Sequence, residues 1–311
     1  MKKSLMYLVF GILLASILAT GCLNEERKEG DLEFFDMLGD RVILDRYPER
    51  IVTTTPALTE IVFALGKGDD LVGTDSASDY PAEAGSIRDV FTWEGVDLEK
   101  LIAVEPELVL MDKTLDITGD DHAAITAMGI PVYRIYPRTI DELLDSIEGI
   151  GEVLDAGDEA SELIGDFTGR MGAVEENASR VPDGERPKVL HVTYYDGLSD
   201  PWVSTDSTFS GSLIEKAGGV CAFSEGSGFG IQASLELIVA SDPDIILCSQ
   251  SSTWPSNTRE TILSDGNWAE VPAVESGAVF YVEADWCDRT GPRLILGLEE
   301  FHSIIMDHIE E

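Results

Sequence analysis

The chain has 311 residues, 59 of them Asp or Glu against 21 Lys or Arg, for a formal net charge of −38. A field of that sign repels phosphate, which excludes nucleic acid and anionic membrane surfaces as partners. It names no ligand and reads as an acidic solvated shell, suited to a salty exterior where screening limits self-repulsion. The length suffices for two domains with cores of their own.

Lys2 and Lys3 precede an apolar run over residues 5–18, which ends in Ala19-Thr20-Gly21-Cys22. That is the layout of a secretory signal with small residues before the cut. The Cys directly after them resembles a lipobox, although Ala19 takes the slot where a Leu is usual. Residues 1–22 are therefore expected to be a signal peptide, with Cys22 as the lipidated first residue of the mature chain. An uncleaved anchor helix is the alternative. Residues 23–31 are polar and charge-rich and read as a tether. Either way the bulk of the chain lies outside the cytoplasm, anchored at a membrane face.

Residues 34–44 alternate around Gly39-Asp40, as in a β-hairpin. Residues 51–54 predict a strand, and Pro56 opens a helix capped by Thr55 and stopped by Gly66. Residues 71–73 predict another strand, and residues 76–93 read as loop. A short helix and strand follow over 98–110, then a helix over 118–128 and a strand over 131–135. This β-α alternation predicts an N-terminal α/β lobe, residues 32–156, with a mostly parallel sheet.

From 139 to 178 the pattern is helical throughout. One stripe runs from Ile140 to Leu154, Gly157-Asp158 breaks it, and a second runs from Ala160 to Val174. A linking helix over residues 157–181, about 24 residues and so about 35 Å long, would cross a whole lobe. Alternation then resumes through residues 182–311, with strands over 188–192 and 279–282 and a final helix over 292–309. The expected fold class is α/β: two α/β lobes with mostly parallel central sheets, joined by a single long α-helix. One stiff connection predicts limited opening and closing.

One phrase occurs twice. Leu98-Glu99-Lys100-Leu101-Ile102-Ala103-Val104-Glu105-Pro106-Glu107-Leu108-Val109-Leu110 aligns without a gap on Leu235-Glu236-Leu237-Ile238-Val239-Ala240-Ser241-Asp242-Pro243-Asp244-Ile245-Ile246-Leu247. Each copy reads as an amphipathic helix, an acidic-Pro-acidic corner and a buried strand. A unit repeated once at half the chain length implies two similar lobes, and two lobes imply a cleft.

Beyond Cys22 there are Cys221, Cys248 and Cys287, so one pair at most can form among them; a Cys221–Cys287 bridge is compatible with an oxidising compartment. The four His have no ligand spacing, so neither a metal nor a cofactor is expected. P-loop, Gly-x-Ser-x-Gly and His-Glu-x-x-His motifs are missing from the sequence, which disfavours an enzyme. Trp93, Trp202, Trp254 and Trp286 fall in predicted loops, off periodic apolar faces, which points to pocket lining for Trp93 and Trp286. Tyr194 and Tyr195 follow a strand end, where clefts form in open α/β sheets; one should face the pocket and the other pack.

Three segments carry a resemblance: Arg50-Ile51-Val52-Thr53-Thr54-Thr55-Pro56-Ala57-Leu58-Thr59-Glu60-Ile61, Ser78-Asp79-Tyr80-Pro81, and Thr92-Trp93-Glu94-Gly95-Val96-Asp97-Leu98-Glu99. Together with Asp285-Trp286 and Pro292-Arg293-Leu294-Ile295-Leu296, they resemble the substrate-binding proteins of ABC importers for metal chelates. Within that class the likeness leans toward cobalamin (vitamin B12) binders, with siderophore and haem binders as relatives. The resemblance implies two lobes bridged by one helix and a ligand held between them by aromatic side chains. Carried over, Trp93 matches a corrin-contacting Trp. Asp285 matches an Asp at the nucleotide-loop end of the ligand, and Trp202 an aromatic on the C-lobe wall. Phe229, in a Gly-rich loop, only approximates a Trp-containing segment, and Ala77 stands where the cobalamin binders have a Tyr. The resemblance also implies one surface Glu on each lobe docking on Arg residues of a permease dimer with its ATPase subunits. Those positions fall on Glu99 and Glu236, the matched acids of the repeat. Anionic chelates would call for a cleft Arg, for which Arg259 and Arg289 are candidates. From another class, an anchored sensor or interaction ectodomain would need no docking pair.

Overall fold

A computed structural model describes residues 30–310 apart from 115, 117, 118, 225, 227–229 and 252–256. Leu32–Phe35 (β1) and Arg41–Leu44 (β2) form an antiparallel hairpin. Arg134 pins it by meeting Asp36 at 2.8 Å and also Asp40. The N-terminal lobe continues through Ile51–Thr53 (β3), Pro56–Ala64 (α1), Leu71–Asp75 (β4), Asp89–Thr92 (β5), Gly95–Val96 (β6) and Leu98–Ala103 (α2). Leu108–Asp112 (β7), Asp120–Ala127 (α3) and Val132–Ile135 (β8) complete it. Its sheet has the order β6-β5-β4-β3-β7-β8. All neighbours are parallel except β5 and β6.

Ile140–Val153 (α4) and Gly157–Ala178 (α5) follow. The C-terminal lobe comprises Lys188–Tyr194 (β9), Trp202–Val203 (β10), Phe209–Lys216 (α6), Val220–Cys221 (β11), Ile231–Gln232 (β12) and Leu235–Ser241 (α7). It ends with Ile245–Gln250 (β13), Thr258–Ser264 (α8), Pro272–Ser276 (α9), Val279–Glu283 (β14), Ala284–Cys287 (α10) and Leu294–Glu310 (α11). Its sheet runs β12-β10-β9-β13-β14, with β11 also on β9. The β11, β9, β13 and β14 pairings are parallel. Among the described residues no helix is long and apolar enough to cross a membrane.

Two readings of the sequence need correction. Residues 76–93 are not all loop: β5 lies within them and pairs with β6 as a hairpin. A four-residue strand carries too little alternation to stand out from its Ser- and Gly-containing surroundings. The helical stretch also breaks earlier than Gly157-Asp158. Asp155 holds left-handed backbone, φ 54°, and Gly157 is the first residue of α5.

The helix α5 has 22 residues. Phe167 and Val174 sit in a single apolar cluster that also holds Ile147 and Leu154 of the first lobe and Leu213, Leu298 and Phe301 of the second. Arg170 adds a two-armed pair with Glu299 at 2.8 and 2.6 Å. The lobes therefore share core along this helix, and large relative motion would expose apolar surface.

The repeat is structural as well as verbal. β3 meets β7 with Ile51 beside Leu108, and β9 meets β13 with Val189 beside Ile245, the same register in both copies. Glu105 and Asp242, each before its Pro, both have left-handed φ, 44° and 54°. Arg50 donates to the carbonyls of Val104 and Glu105 at the end of α2, and Lys188 donates to the carbonyl of Ser241 at the end of α7, 2.6 Å. These cations cap helix C-termini, where unpaired carbonyls favour positive charge.

Candidate functional site: the inter-lobe cleft

Both sheets turn the carboxyl ends of their parallel strands toward one another, where ligands bind in open α/β folds. The space between is a cleft of about 930 Å³. Thr54 lines it after β3, Asp75 at the end of β4, Trp93 after β5, and Asp112 at the end of β7. From the other lobe come Tyr194 at the end of β9, Ser249 on β13, and Asp285, Asp288 and Arg289 after β14.

Trp93 is the first of two residues at the tip of the β5–β6 hairpin, since Thr92 pairs with Gly95. It is 89% exposed. A Trp held out in water by a two-residue hairpin has no core to stabilise, and it stands at the cleft mouth. Tyr194 lines the opposite wall. Trp202 is its direct cross-strand partner on β10, so the two rings share a face. Trp202 itself lies one strand beyond the lining residues.

Tyr195 does not reach the cleft. Its hydroxyl donates to Asp265 at 2.8 Å and its ring packs on Trp268 with centroids 5.5 Å apart. Tyr195 follows the last residue of β9 and turns into the core beside it. Trp286 is also absent from the lining. It is half-buried on α10, and its carbonyl approaches Gly297 so closely that a Cβ there would meet the oxygen at 2.6 Å. On a helix each residue turns about 100°, so the face that presents Asp285 and Asp288 carries Trp286 away. Phe229, Trp254 and Cys22 lie outside the described residues.

Asp285 is buried and accepts from Ser251 at 3.2 Å, beside Arg289 at 3.0 Å. Arg289 also reaches Asp79 at 2.8 Å and Glu60 at 3.5 Å, so its charge is already shared among carboxylates. Arg293 holds Glu60 through two hydrogen bonds, 2.8 and 2.6 Å, and stacks over Tyr80 at 4.1 Å. Arg259 is not in the cleft; it donates to the Val279 carbonyl and covers Tyr281.

The aspartates of the lining were not singled out from sequence. Asp75 accepts from the Ala77 amide at 2.6 Å and from Ser78 at 3.2 Å, yet burial pushes its carboxyl up to about 6. Asp112 accepts from Thr114 through both amide and hydroxyl, and burial raises it too. Asp116 accepts from the His122 amide at the start of α3. A signal existed: Asp75 and Asp112 each end a buried apolar strand, the place where a parallel sheet meets its ligand.

His191, Cys287 and Asp288 are the one group among the described residues with metal-ligand chemistry at close range. His191 Nε2 lies 3.9 Å from Cys287 Sγ and 4.0 Å from Asp288 Oδ1. Its two nitrogens are already bonded to Ser204 and Ser249, each at 2.8 Å. Burial lowers His191 and raises Cys287 well above the ordinary thiol, so both are neutral partners in a buried polar network. Cys221, Cys248 and Cys287 are all free thiols.

Glu99 and Glu236 are exposed in the first turns of α2 and α7. Each helix is capped by a side chain just before the acid's neighbour: Asp97 accepts from the Lys100 amide, and Ser234 from the Leu237 amide.

Two α/β lobes, a shared helical spine and a cleft between strand ends define a two-lobed binding protein. The sequence pattern of the periplasmic binding protein family matches residues 51–286, and the chain belongs to that family. It is 28% identical, over 96% of its length and 97% of the other's, to an ABC transporter substrate-binding lipoprotein of Bacillus subtilis. It is 25% identical, over 84% and 90%, to a vitamin B12-binding protein of Vibrio parahaemolyticus. The crystal structure of the periplasmic vitamin B12 binding protein of Vibrio cholerae superposes with a TM-score of 0.71 at 22% identity, covering 85% of this chain and 99% of the other. The periplasmic haem-binding protein of Roseiflexus sp. RS-1 gives 0.70 at 24%, covering 84% and 98%. These two likenesses establish the fold.

Proposed function

We propose that this chain is the extracytoplasmic substrate-binding component of an ABC importer, anchored through Cys22. It captures a bulky metal chelate, a corrinoid in first place, and hands it to a permease dimer. The observation that carries this reading is the cleft of about 930 Å³ with Trp93 at its mouth and Tyr194 on the facing wall. An aromatic pair on opposite lobes suits a flat, apolar macrocycle with a polar rim. The names of the relatives in B. subtilis and V. parahaemolyticus support the same class. Glu99 and Glu236, exposed at equivalent points of a duplicated unit, suit a partner with two-fold symmetry, because carboxylates accept paired bonds from Arg. Binding and release require no bond-making, and bound ligand should be recovered unchanged.

An iron chelate is the second reading. A structure from Staphylococcus epidermidis described as a possible iron-binding periplasmic protein is 25% identical, with a TM-score of 0.69. Titration with cyanocobalamin, haemin and ferric siderophores, following Trp fluorescence, separates the two. A lack of quenching by any corrinoid removes the corrinoid assignment.

A further inference from the structure

We propose that the cleft selects chelates by charge, and that Asp75 and Asp112 set the rule: neutral and cationic chelates enter, and chelates with peripheral carboxylates are rejected. The inference rests on the reading of the cleft as a chelate site and adds the chemical class of its ligand.

The acidic shell of this protein is solvated, and its charges carry little information. The cleft acids differ because they are buried: Asp75 is 6% exposed and Asp112 4%. Burying a carboxylate is costly unless something compensates it. Here the hydrogen-bonded compensation comes from neutral donors, Ala77 and Ser78 for Asp75 and Thr114 for Asp112, with the Arg289 charge reaching Asp75 only at a distance. Neither has an ion-pair partner among the described residues.

Arg289 is the one cationic residue among the described residues that line the cleft. Its contacts with Asp79, Asp285 and Glu60 leave no positive charge for an incoming anion. Asp116, Asp121 and Asp288 add further negative charge to the lining. A carboxylate brought into this space loses its water and meets a lining whose net charge is negative. An amide-edged or cationic chelate instead offers donors to acceptors already in place. The two acids stand at the ends of β4 and β7 on the N-terminal wall, so they act on the same edge of a ligand.

The test compares probes of different charge near neutral pH: cyanocobalamin (neutral), ferrioxamine B (cationic), haemin (carboxylate-bearing) and, matched to haemin in size, its dimethyl ester, which keeps the ring and removes the carboxylates. The wild-type protein should bind cyanocobalamin or ferrioxamine B at least about tenfold more tightly than haemin, and the ester more tightly than haemin. Asp75→Asn, Asp112→Asn and their combination should tighten haemin about tenfold and narrow the gap between haemin and its ester. The ester comparison needs no variant, so it stands even if a substitution impairs folding. Haemin binding as tightly as the neutral and cationic probes, or no gain for the ester and the Asn variants, overturns charge selection while leaving a chelate site. Binding of none of the four overturns the chelate reading itself, and the charge rule with it.

Discussion

Arg293 of the C-terminal lobe grips Glu60 of the N-terminal lobe through two hydrogen bonds, 2.8 and 2.6 Å, with the carboxylate side chain only 2% exposed. Arg289 adds contacts to Glu60 and Asp79. This clasp and the apolar spine along α5 tie the lobes at the base of the cleft. Removing one partner of a buried pair strands the other charge, which typically costs about 3 kcal/mol or more. Glu60→Ala should therefore lower stability in urea unfolding by roughly that amount, and Arg293→Lys by less. A Glu60→Ala protein as stable as the wild type would contradict the clasp.

Trp93→Ala should act on the ligand and spare the fold. The residue is 89% exposed at a hairpin tip, so thermal stability should not change. Loss of its face should weaken chelate binding by roughly 1–2 kcal/mol, about tenfold. Isothermal titration beside a melting curve separates the two effects.

Charge reversal at Glu99 and Glu236 should do the opposite. The double Glu→Lys variant is expected to bind chelate normally and to fail in transport, with each single variant intermediate. Uptake assays in cells carrying the cognate permease read this directly. Undiminished uptake would remove the docking role of this pair.

Asp75 gives a pH dependence of known sign. Its carboxyl is raised from 3.8 to about 6 by burial, against hydrogen bonds that pull it down. Between about pH 4 and pH 6 the native state holds this proton and the unfolded chain does not. This group's contribution to stability therefore falls as pH rises through that window and is flat above it. The shift amounts to about 3 kcal/mol. Asp75→Asn should be more stable than the wild type near pH 7, by a margin that shrinks toward about pH 4. Denaturant unfolding of both proteins at the two ends of the window measures it, and a constant margin would refute the assignment.

Much of the fold was legible because its signals are local. The N-cap at Thr55, the hairpin at Gly39-Asp40 and the apolar strands reveal themselves within a few residues. The repeat was legible too, and its duplicated left-handed acids, Glu105 and Asp242, are the backbone form of that duplication. Of the aromatic residues expected in the site, Trp93 and Tyr194 line the cleft, Trp202 flanks it, and Tyr195 and Trp286 turn away. Sequence alone could not separate Tyr194 from Tyr195, because which face of a strand meets the cleft is set by the sheet behind it.

The amino-acid sequence by itself determined the two α/β lobes, the helix between them and the paired acids Glu99 and Glu236, since periodicity, caps and repetition are properties of neighbouring residues. Only the tertiary structure decided that Glu60 faces Arg293 across 233 positions of chain. It alone brought Asp75 and Asp112 together on one wall, and joined the buried His191 to Ser204 and Ser249. Those relations depend on which strand ends the sheets bring together and how far the cleft shields them from water, quantities that no short stretch of sequence encodes.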